Sequence, residues 1–262
     1  MAKLLRFEFR KLLRSKIVYI VLGIAVGFVV MNALVLLLID NLARELDPSF
    51  ITSYSAYGFT KGALNNSFFT IIGVFIAIYA TEDFSHGTCK NVIAKGYKRL
   101  EVYFSKYIVS LISIIVMALL CFVTSLGMGL ALFKNDFGSI TDNIPVIIIG
   151  QFLCLLVFHS MFYTIAYTLG KSGPAIAINI VAPLGITLLL TIGTLLINKE
   201  DFDLSRYWID GIFSNFSGGS SMINMPGGST DESLFASNFI LIFVYLGISE
   251  ALGILFANRK QF

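Results

Sequence analysis

The sequence predicts an all-α membrane protein that crosses the bilayer six times as a single transmembrane domain, residues 1–262. Three observations predict this fold class. Hydrophobic residues make up 56% of the 262-residue chain and charged residues only 13%, which is about half the charged share of an ordinary soluble domain. Apolar runs of the ~20 residues that a spanning helix needs recur along the chain. Basic residues collect in every second segment between these runs, as they do in multi-pass proteins.

The apolar runs place the six predicted transmembrane helices. These helices cover residues 17–39, 62–81, 107–133, 145–169, 175–197 and 236–257. The second run is the weakest, because only Phe68 to Ala80 is cleanly apolar and Asn65 and Asn66 must lie in its outer turn. The first run follows a basic stretch, but it is longer than the ~7–15-residue apolar core of a signal peptide. We therefore expect the first run to remain in the protein as a membrane anchor.

The distribution of Lys and Arg predicts the orientation in the membrane. Fourteen of the 19 basic residues lie in alternate segments, and the other five lie in the intervening loops. The basic segments are 1–16, 82–106, 170–174 and 258–262. Because basic loops stay on the cytoplasmic side, both termini are predicted to be cytoplasmic. The longest extracytoplasmic loop is then 198–235, and its aromatic first half should lie in the outer interface.

Residues 3–14 predict a helix that lies in the plane of the membrane. At 100° per residue, the basic residues of this segment fall within one narrow sector, with Leu5, Phe9 and Leu12 on the opposite side. The basic sector consists of Lys3, Arg6, Arg10 and Arg14. Such a sector suits lipid phosphates, although a basic flank that merely orients the first span explains it equally well.

The 82–106 loop carries the most informative pattern in the chain. Its acids come first, and its bases follow a glycine. The pattern predicts a short cytosolic helix bounded by Gly87 and Gly96, followed by an amphipathic lead into the third span. The residues of that lead that share a face are Leu100, Tyr103 and Phe104. A loop with these features is predicted to contact a partner.

At these residues the chain resembles the permease subunits of ABC transporters, in the exporter subfamily called ABC type 2. That family has a glutamate at the cytosolic end of the second span, a Gly-Thr pair, a short coupling helix, and an arginine and a lysine that enter the third span. The candidate coupling residues are Glu82, Gly87, Thr88, Lys90, Arg99 and Lys106. The in-plane basic helix and the six-span layout extend the resemblance over most of the chain.

The resemblance implies the permease subunit of an ATP-driven exporter, a transport subunit that is not itself an enzyme. The sequence contains no Gly-x-x-x-x-Gly-Lys-[Ser/Thr] motif for nucleotide phosphates. ATP and magnesium would therefore bind to separate ABC ATPase subunits that dock on the 82–106 loop. The other implied partners are a second permease chain, identical or related, and the lipid bilayer, but no nucleic acid. We expect the protein in the plasma membrane of a bacterium.

Few ionisable groups lie within the apolar runs, where each costs about 2.5–3.5 kcal/mol on insertion scales. Glu250 and His159 fall at similar depths of the sixth and fourth spans, which predicts a hydrogen bond between them. Lys16 is a competing partner for Glu250, and simple burial among the helices is the structural alternative. Tyr163 and Asn32 are the other candidate cavity residues. No catalytic residue and no metal site is predicted, because the His and Cys residues are scattered over different segments.

The residues predicted to line the cavity limit the kind of substrate that the protein can carry. These walls are apolar and aromatic, so an amphipathic or hydrophobic substrate, such as a peptide, fits better than a small ion. Two alternatives to an exporter stay open. One is a non-transporting assembly, sensor or immunity module that binds a partner through the same loop. The other is a secondary transporter, which should show more intramembrane charges and repeated halves than this chain does.

Overall fold

The computed structural model describes residues 1–46, 56–64, 66–85, 87–132, 144–197, 204–217 and 232–259. Within these ranges the chain forms ten α-helices and no β-strand, so the predicted all-α class is confirmed. The helices are α1 (Ala2–Arg14), α2 (Lys16–Leu46), α3 (Ala56–Lys61), α4 (Asn66–Ser85), α5 (Thr88–Ala94), α6 (Arg99–Leu132), α7 (Ile144–Leu169), α8 (Ser172–Ile197), α9 (Ile209–Ser217) and α10 (Phe235–Arg259).

Five helices of the described part are long and apolar enough to cross a membrane, namely α2, α6, α7, α8 and α10. Large apolar side chains point outward from them, for example Leu189, Leu195 and Leu196, which are 68%, 73% and 81% exposed. Apolar side chains exposed on five helices of this length are typical of a surface that faces hydrocarbon, so the chain is a multi-pass membrane protein. Helix α4, which contains most of the second predicted span, is not among these five, and the sixth crossing stays a prediction.

Helix α4 lies at the centre of the bundle, packed against α2, α6, α7 and α8. Its side chains are buried on most sides, with Ile72, Phe75 and Ile76 at most 1% exposed. The helices approach closely where the Asn179 amide of α8 donates to the Gly73 carbonyl of α4 at 3.1 Å. A helix that is apolar on nearly all sides is expected to be buried among other helices, as α4 is.

One buried glutamine ties together the end of the bundle at which α7 begins. Gln151 of α7 is fully buried, and its amide nitrogen donates to the carbonyls of Lys61 at 2.9 Å and Phe216 at 3.3 Å. These carbonyls belong to the last turns of α3 and α9, where no intrahelical partner exists. Helix α9 is thus buried against α7, whereas residues 198–203 and 218–231 of the predicted outer loop lie outside the described residues.

The opposite end of the bundle brings together α1, α5, the start of α6 and the end of α10. The Arg99 guanidinium donates to the Asn258 carbonyl at 3.3 Å, and the amino group of Met1 lies 4.0 Å from the Glu101 carboxylate. The two ends of the described chain therefore meet the same short stretch of α6. This is the end that carries the candidate functional site.

Candidate functional site

The short helix α5 lies between two glycines with positive φ, Gly87 at 64° and Gly96 at 89°. Glycine adopts this conformation without the steric cost that other residues incur. The Gly87 N–H donates to the Phe84 carbonyl at 3.3 Å, and the Thr88 hydroxyl donates to the Asp83 carbonyl at 3.2 Å. These bonds satisfy carbonyls at the end of α4. The helix predicted between the two glycines is therefore present, directly after a sharp turn.

Among the side chains of α5 that the structure describes, one face packs against the bundle. Cys89 is 2% exposed and packs in a small apolar cluster with Leu4 of α1 and Val102 of α6. The opposite face is exposed at Thr88, Asn91, Ala94 and Lys95. A displacement of α5 would thus be passed to α1 and α6 through direct contacts, while its outer face is available to a partner.

A cluster of charged side chains lies beside α5, and we call it the charge junction. It consists of Glu8, Lys11, Glu82, Asp83 and Lys106. Lys106 Nζ of α6 lies 2.5 Å from Asp83 Oδ2 of α4, and Lys11 Nζ of α1 lies 2.6 Å from Asp83 Oδ1 and 2.8 Å from Glu82 Oε2. The end of α4 is therefore held to both α1 and α6 by charge.

The pKa values of Asp83 and Glu8, two acids of the charge junction, are shifted in opposite directions. Burial raises the pKa of Asp83, but the charges of Lys106 and Lys11 and their hydrogen bonds outweigh burial and hold it at about 2. The stability from this pairing is therefore present above a pH of about 4 and is lost as the pH falls towards 2. Glu8 is 2% exposed and accepts a hydrogen bond from Tyr79 at 3.2 Å. Burial raises the pKa of Glu8 despite the nearby charge of Lys106.

A second polar cluster lies inside the bundle, between α6, α7 and α10. Glu250 of α10 accepts hydrogen bonds from the Tyr107 hydroxyl and from the Ser160 hydroxyl, the latter at 3.0 Å. Ser249 donates to Ser160 at 2.8 Å and extends this network. Glycine is required at Gly253, one turn further along α10, because a Cβ there would collide with the hydroxyl of Tyr103.

The predicted hydrogen bond between His159 and Glu250 is wrong. His159 Nε2 lies 2.8 Å from the Ser110 hydroxyl, and the second ring nitrogen has no hydrogen-bond partner in the described part of the chain. The Tyr107 ring packs on the His159 ring with centroids 4.6 Å apart, and it is the Tyr107 hydroxyl that donates a hydrogen bond to the Glu250 carboxylate. The two residues face the same cluster, but each is hydrogen-bonded to a different side chain of α6, Glu250 to Tyr107 and His159 to Ser110.

The other predicted site residues divide between surface and interior. Arg6, Arg10 and Arg14 are exposed on α1, and Lys90 lies in α5. Lys106 is 1% exposed, so it acts inside the bundle and does not reach the surface that a partner would touch. Tyr163 is fully buried and donates to the Tyr103 carbonyl at 3.1 Å, whereas Asn32 lies half-buried on α2.

Of the charge junction, Glu82 and Lys106 were predicted from the sequence as candidate residues, whereas Glu8, Lys11 and Asp83 were missed. Tyr79, which donates a hydrogen bond to Glu8, was missed as well. The helical projection of residues 3–14 placed Leu5 and Phe9 opposite the bases, but the buried residues of α1 are Leu4, Glu8 and Leu12. The available signal was the spacing of Glu8, which lies four residues after Leu4 and four residues before Leu12. This spacing predicts a buried carboxylate only if the face of α1 that packs on α6 is known.

These features define a class of protein, a polytopic helical membrane protein with a short surface helix fixed to its bundle. Residues 4–194 match the model of a family described as "ABC-2 family transporter protein". Since the match covers more than half of the chain, the protein belongs to this family of transporter permeases, which confirms the resemblance seen at Glu82, Gly87 and Thr88. No curated protein and no solved structure matches the chain.

The family match fixes the general role of the chain. It extends from α1 to near the end of α8 and so includes α5 and the charge junction, whereas α9, α10 and Glu250 lie beyond it. Permeases of this family are membrane transport components that normally work with separate ABC ATPase subunits. The chain is therefore a membrane transport permease.

Proposed function

We propose that the chain is the permease subunit of an ATP-driven exporter and that α5 is its coupling helix. The observation that carries this proposal is the arrangement of α5, which has one face packed on α1 and α6 and one face open at the end of the bundle. A separate ATPase that binds the open face could move α5 as a lever. The candidate contacts on α5 and its approach are Thr88, Lys90, Asn91 and Lys95.

The charge junction would transmit this movement to the membrane helices. Asp83 lies five residues before α5 and is paired with Lys106 of α6 and Lys11 of α1. Because buried ion pairs resist separation, a displacement of α5 would move the ends of α1, α4 and α6 together. The bundle would then change shape at the Glu250 cluster, which lies between α6, α7 and α10.

The proposed orientation has six crossings, with α4 as the second, and both termini in the cytoplasm. It is supported by the concentration of 14 basic residues in alternate segments and by the meeting of α1, α5 and the end of α10 at one end of the bundle. In this orientation α1 lies in the membrane plane and α5 faces the cytosol, where ATP is available.

The proposed cargo is an amphipathic or hydrophobic molecule, with a peptide as our leading candidate. The interior near Glu250 is lined by aromatic rings, with Tyr103, Tyr107 and Tyr163 in mutual ring contact. A second permease chain would complete the pathway. Gly23 and Gly27 of α2 face open space within this chain, as a close contact with such a chain requires.

Purification of the tagged full-length chain from its native membranes tests this proposal. We expect a polypeptide with a Gly-x-x-x-x-Gly-Lys-[Ser/Thr] motif to co-purify in stoichiometric amount, with ATP hydrolysis that is lost when the motif lysine of that polypeptide is replaced. Co-purification without hydrolysis would indicate a non-transporting module. Recovery of the chain with no ATPase would contradict the proposal.

A further inference from the structure

An open apolar groove runs between α1 and the first membrane turns of α6. Its volume is about 540 Å³, within the ~300–1,000 Å³ range of small-molecule sites. One wall is formed by Leu5, Phe9 and Leu13 of α1 and the other by Ile108 and Ile112 of α6. Phe9, Leu13 and Ile112 remain 39%, 53% and 40% exposed. Apolar surface therefore stays uncovered between α1 and α6.

Two arginines of α1 take part in lining this groove. Arg6 and Arg10 line it together with the apolar residues, and they occupy adjacent turns of α1. Neither forms an ion pair within the described ranges, in contrast to Lys11, which contacts Glu82 and Asp83. The lining therefore combines two unneutralised positive charges with an apolar cleft, and an anion with a hydrocarbon tail complements both.

We propose that this groove binds an anionic phospholipid, with one acyl chain between α1 and α6 and the phosphate held by Arg6 and Arg10. Apart from these two residues, the walls carry only hydrocarbon side chains, so a peptide would leave its backbone groups without partners there. Planar guanidinium groups bind phosphate in bidentate geometry. The inference uses the proposed position of α1 at the membrane surface and is independent of whether α5 binds an ATPase.

The site would connect lipid to the charge junction. Helix α1 carries the groove on one side and Glu8 and Lys11 on another, and these two residues contact Tyr79 and Asp83 of α4. A bound lipid would brace α1 against α6 from the membrane side. Anionic lipid is therefore expected to stabilise the attachment of α1 that the charge junction makes from within.

Native mass spectrometry of the purified full-length chain tests the proposal with palmitoyl-oleoyl phosphatidylglycerol and the corresponding phosphatidylcholine. Each basic residue near an anionic lipid contributes about 1 kcal/mol, so Arg6→Gln with Arg10→Gln should lower the preference for phosphatidylglycerol roughly 10- to 30-fold. Lys3→Gln with Arg14→Gln is the matched control, because it removes the same charge from α1 outside the groove. The control preference should stay within about twofold of that of the unaltered chain.

Two further arms separate a lipid site from simpler explanations. Glycerol phosphate, which has the anionic group without acyl chains, should not displace phosphatidylglycerol from the unaltered chain at equal concentration. Ile112→Trp, which fills the groove, should reduce retention of both lipids. Equal losses in the two double variants would indicate diffuse attraction to α1, and displacement by glycerol phosphate would indicate a plain anion site; either result overturns the proposal.

Discussion

Lys106→Met is expected to destabilise the permease by about 3–5 kcal/mol, the usual cost of removing one partner from a buried ion pair. Lys106 is 1% exposed, and its ammonium lies 2.5 Å from Asp83 and 5.2 Å from the centre of the Tyr79 ring. Methionine fills similar space but leaves the Asp83 carboxylate with Lys11 alone, beside the buried Glu8. The loss of stability can be measured as the free energy of unfolding by steric trapping in lipid micelles.

Two matched variants make this prediction specific. Lys11→Met removes a cation from the same carboxylate, but the Lys11 side chain is 26% exposed, so we expect a loss of at most ~1 kcal/mol. Asp83→Asn in the Lys106→Met background removes the unpaired charge and should restore part of the stability. A Lys106→Met loss no larger than that of Lys11→Met, or no rescue by Asp83→Asn, would contradict a buried charge junction that depends on Lys106.

Gly87→Pro is expected to abolish the proposed ATP-driven transport while the chain still inserts into the membrane. Gly87 has φ of 64°, whereas the proline ring fixes φ near −65°. Proline also removes the N–H that donates to the Phe84 carbonyl. The α4–α5 turn must then rearrange, and α5 would no longer present its outer face in the position that an ATPase requires. Transport is measured in proteoliposomes that contain the permease and its co-purified ATPase.

The control is a pair of residues placed at Gly87 that differ in how readily they adopt a positive φ, alanine and asparagine. A left-handed conformation costs most residues about 1–2 kcal/mol, so Gly87→Ala should reduce transport roughly 5- to 30-fold if the coupled state bears the whole strain. Asparagine adopts this conformation more readily, and Gly87→Asn should retain most of the activity. Equal transport by the proline and asparagine variants would show that this turn has no part in coupling.

The sequence predicted the elements whose signals are local. The glycines on either side of α5 mark its two ends, and the order of Glu82, Gly87 and Thr88 was enough to indicate the family. The apolar runs of the five outward-facing helices were equally clear, because a long apolar run can be recognised from its own residues without knowledge of the neighbouring helices. Helix α4 gave the weakest signal, since its last turns are polar: Thr81 donates to the Ala77 carbonyl of the same helix, and Asp83 pairs with Lys106 of α6.

Contacts that depend on helix rotation could not be predicted. Glu250 and His159 were placed at compatible depths, but depth does not fix which way a side chain points, and Tyr107 and Ser110 of α6 provide the actual partners. The buried face of α1 was misjudged for the same reason. Around that helix one sector is basic, one is apolar and one is mixed. The sequence alone does not show which of them faces the bundle, and only the packing against α6 decides that Glu8 becomes buried.

Site-directed cross-linking from α5 tests the central claim most directly. The native cysteines Cys89, Cys121 and Cys154 are buried, so a new thiol at Asn91→Cys can be modified selectively with a photoreactive maleimide in native membranes. Tyr207→Cys, at an exposed position near the opposite end of the bundle, is the control. We predict that Asn91→Cys forms a covalent adduct with the ATPase and that Tyr207→Cys does not. An adduct from Tyr207→Cys instead, or no ATPase adduct from Asn91→Cys, would contradict the assignment of α5 as the coupling helix.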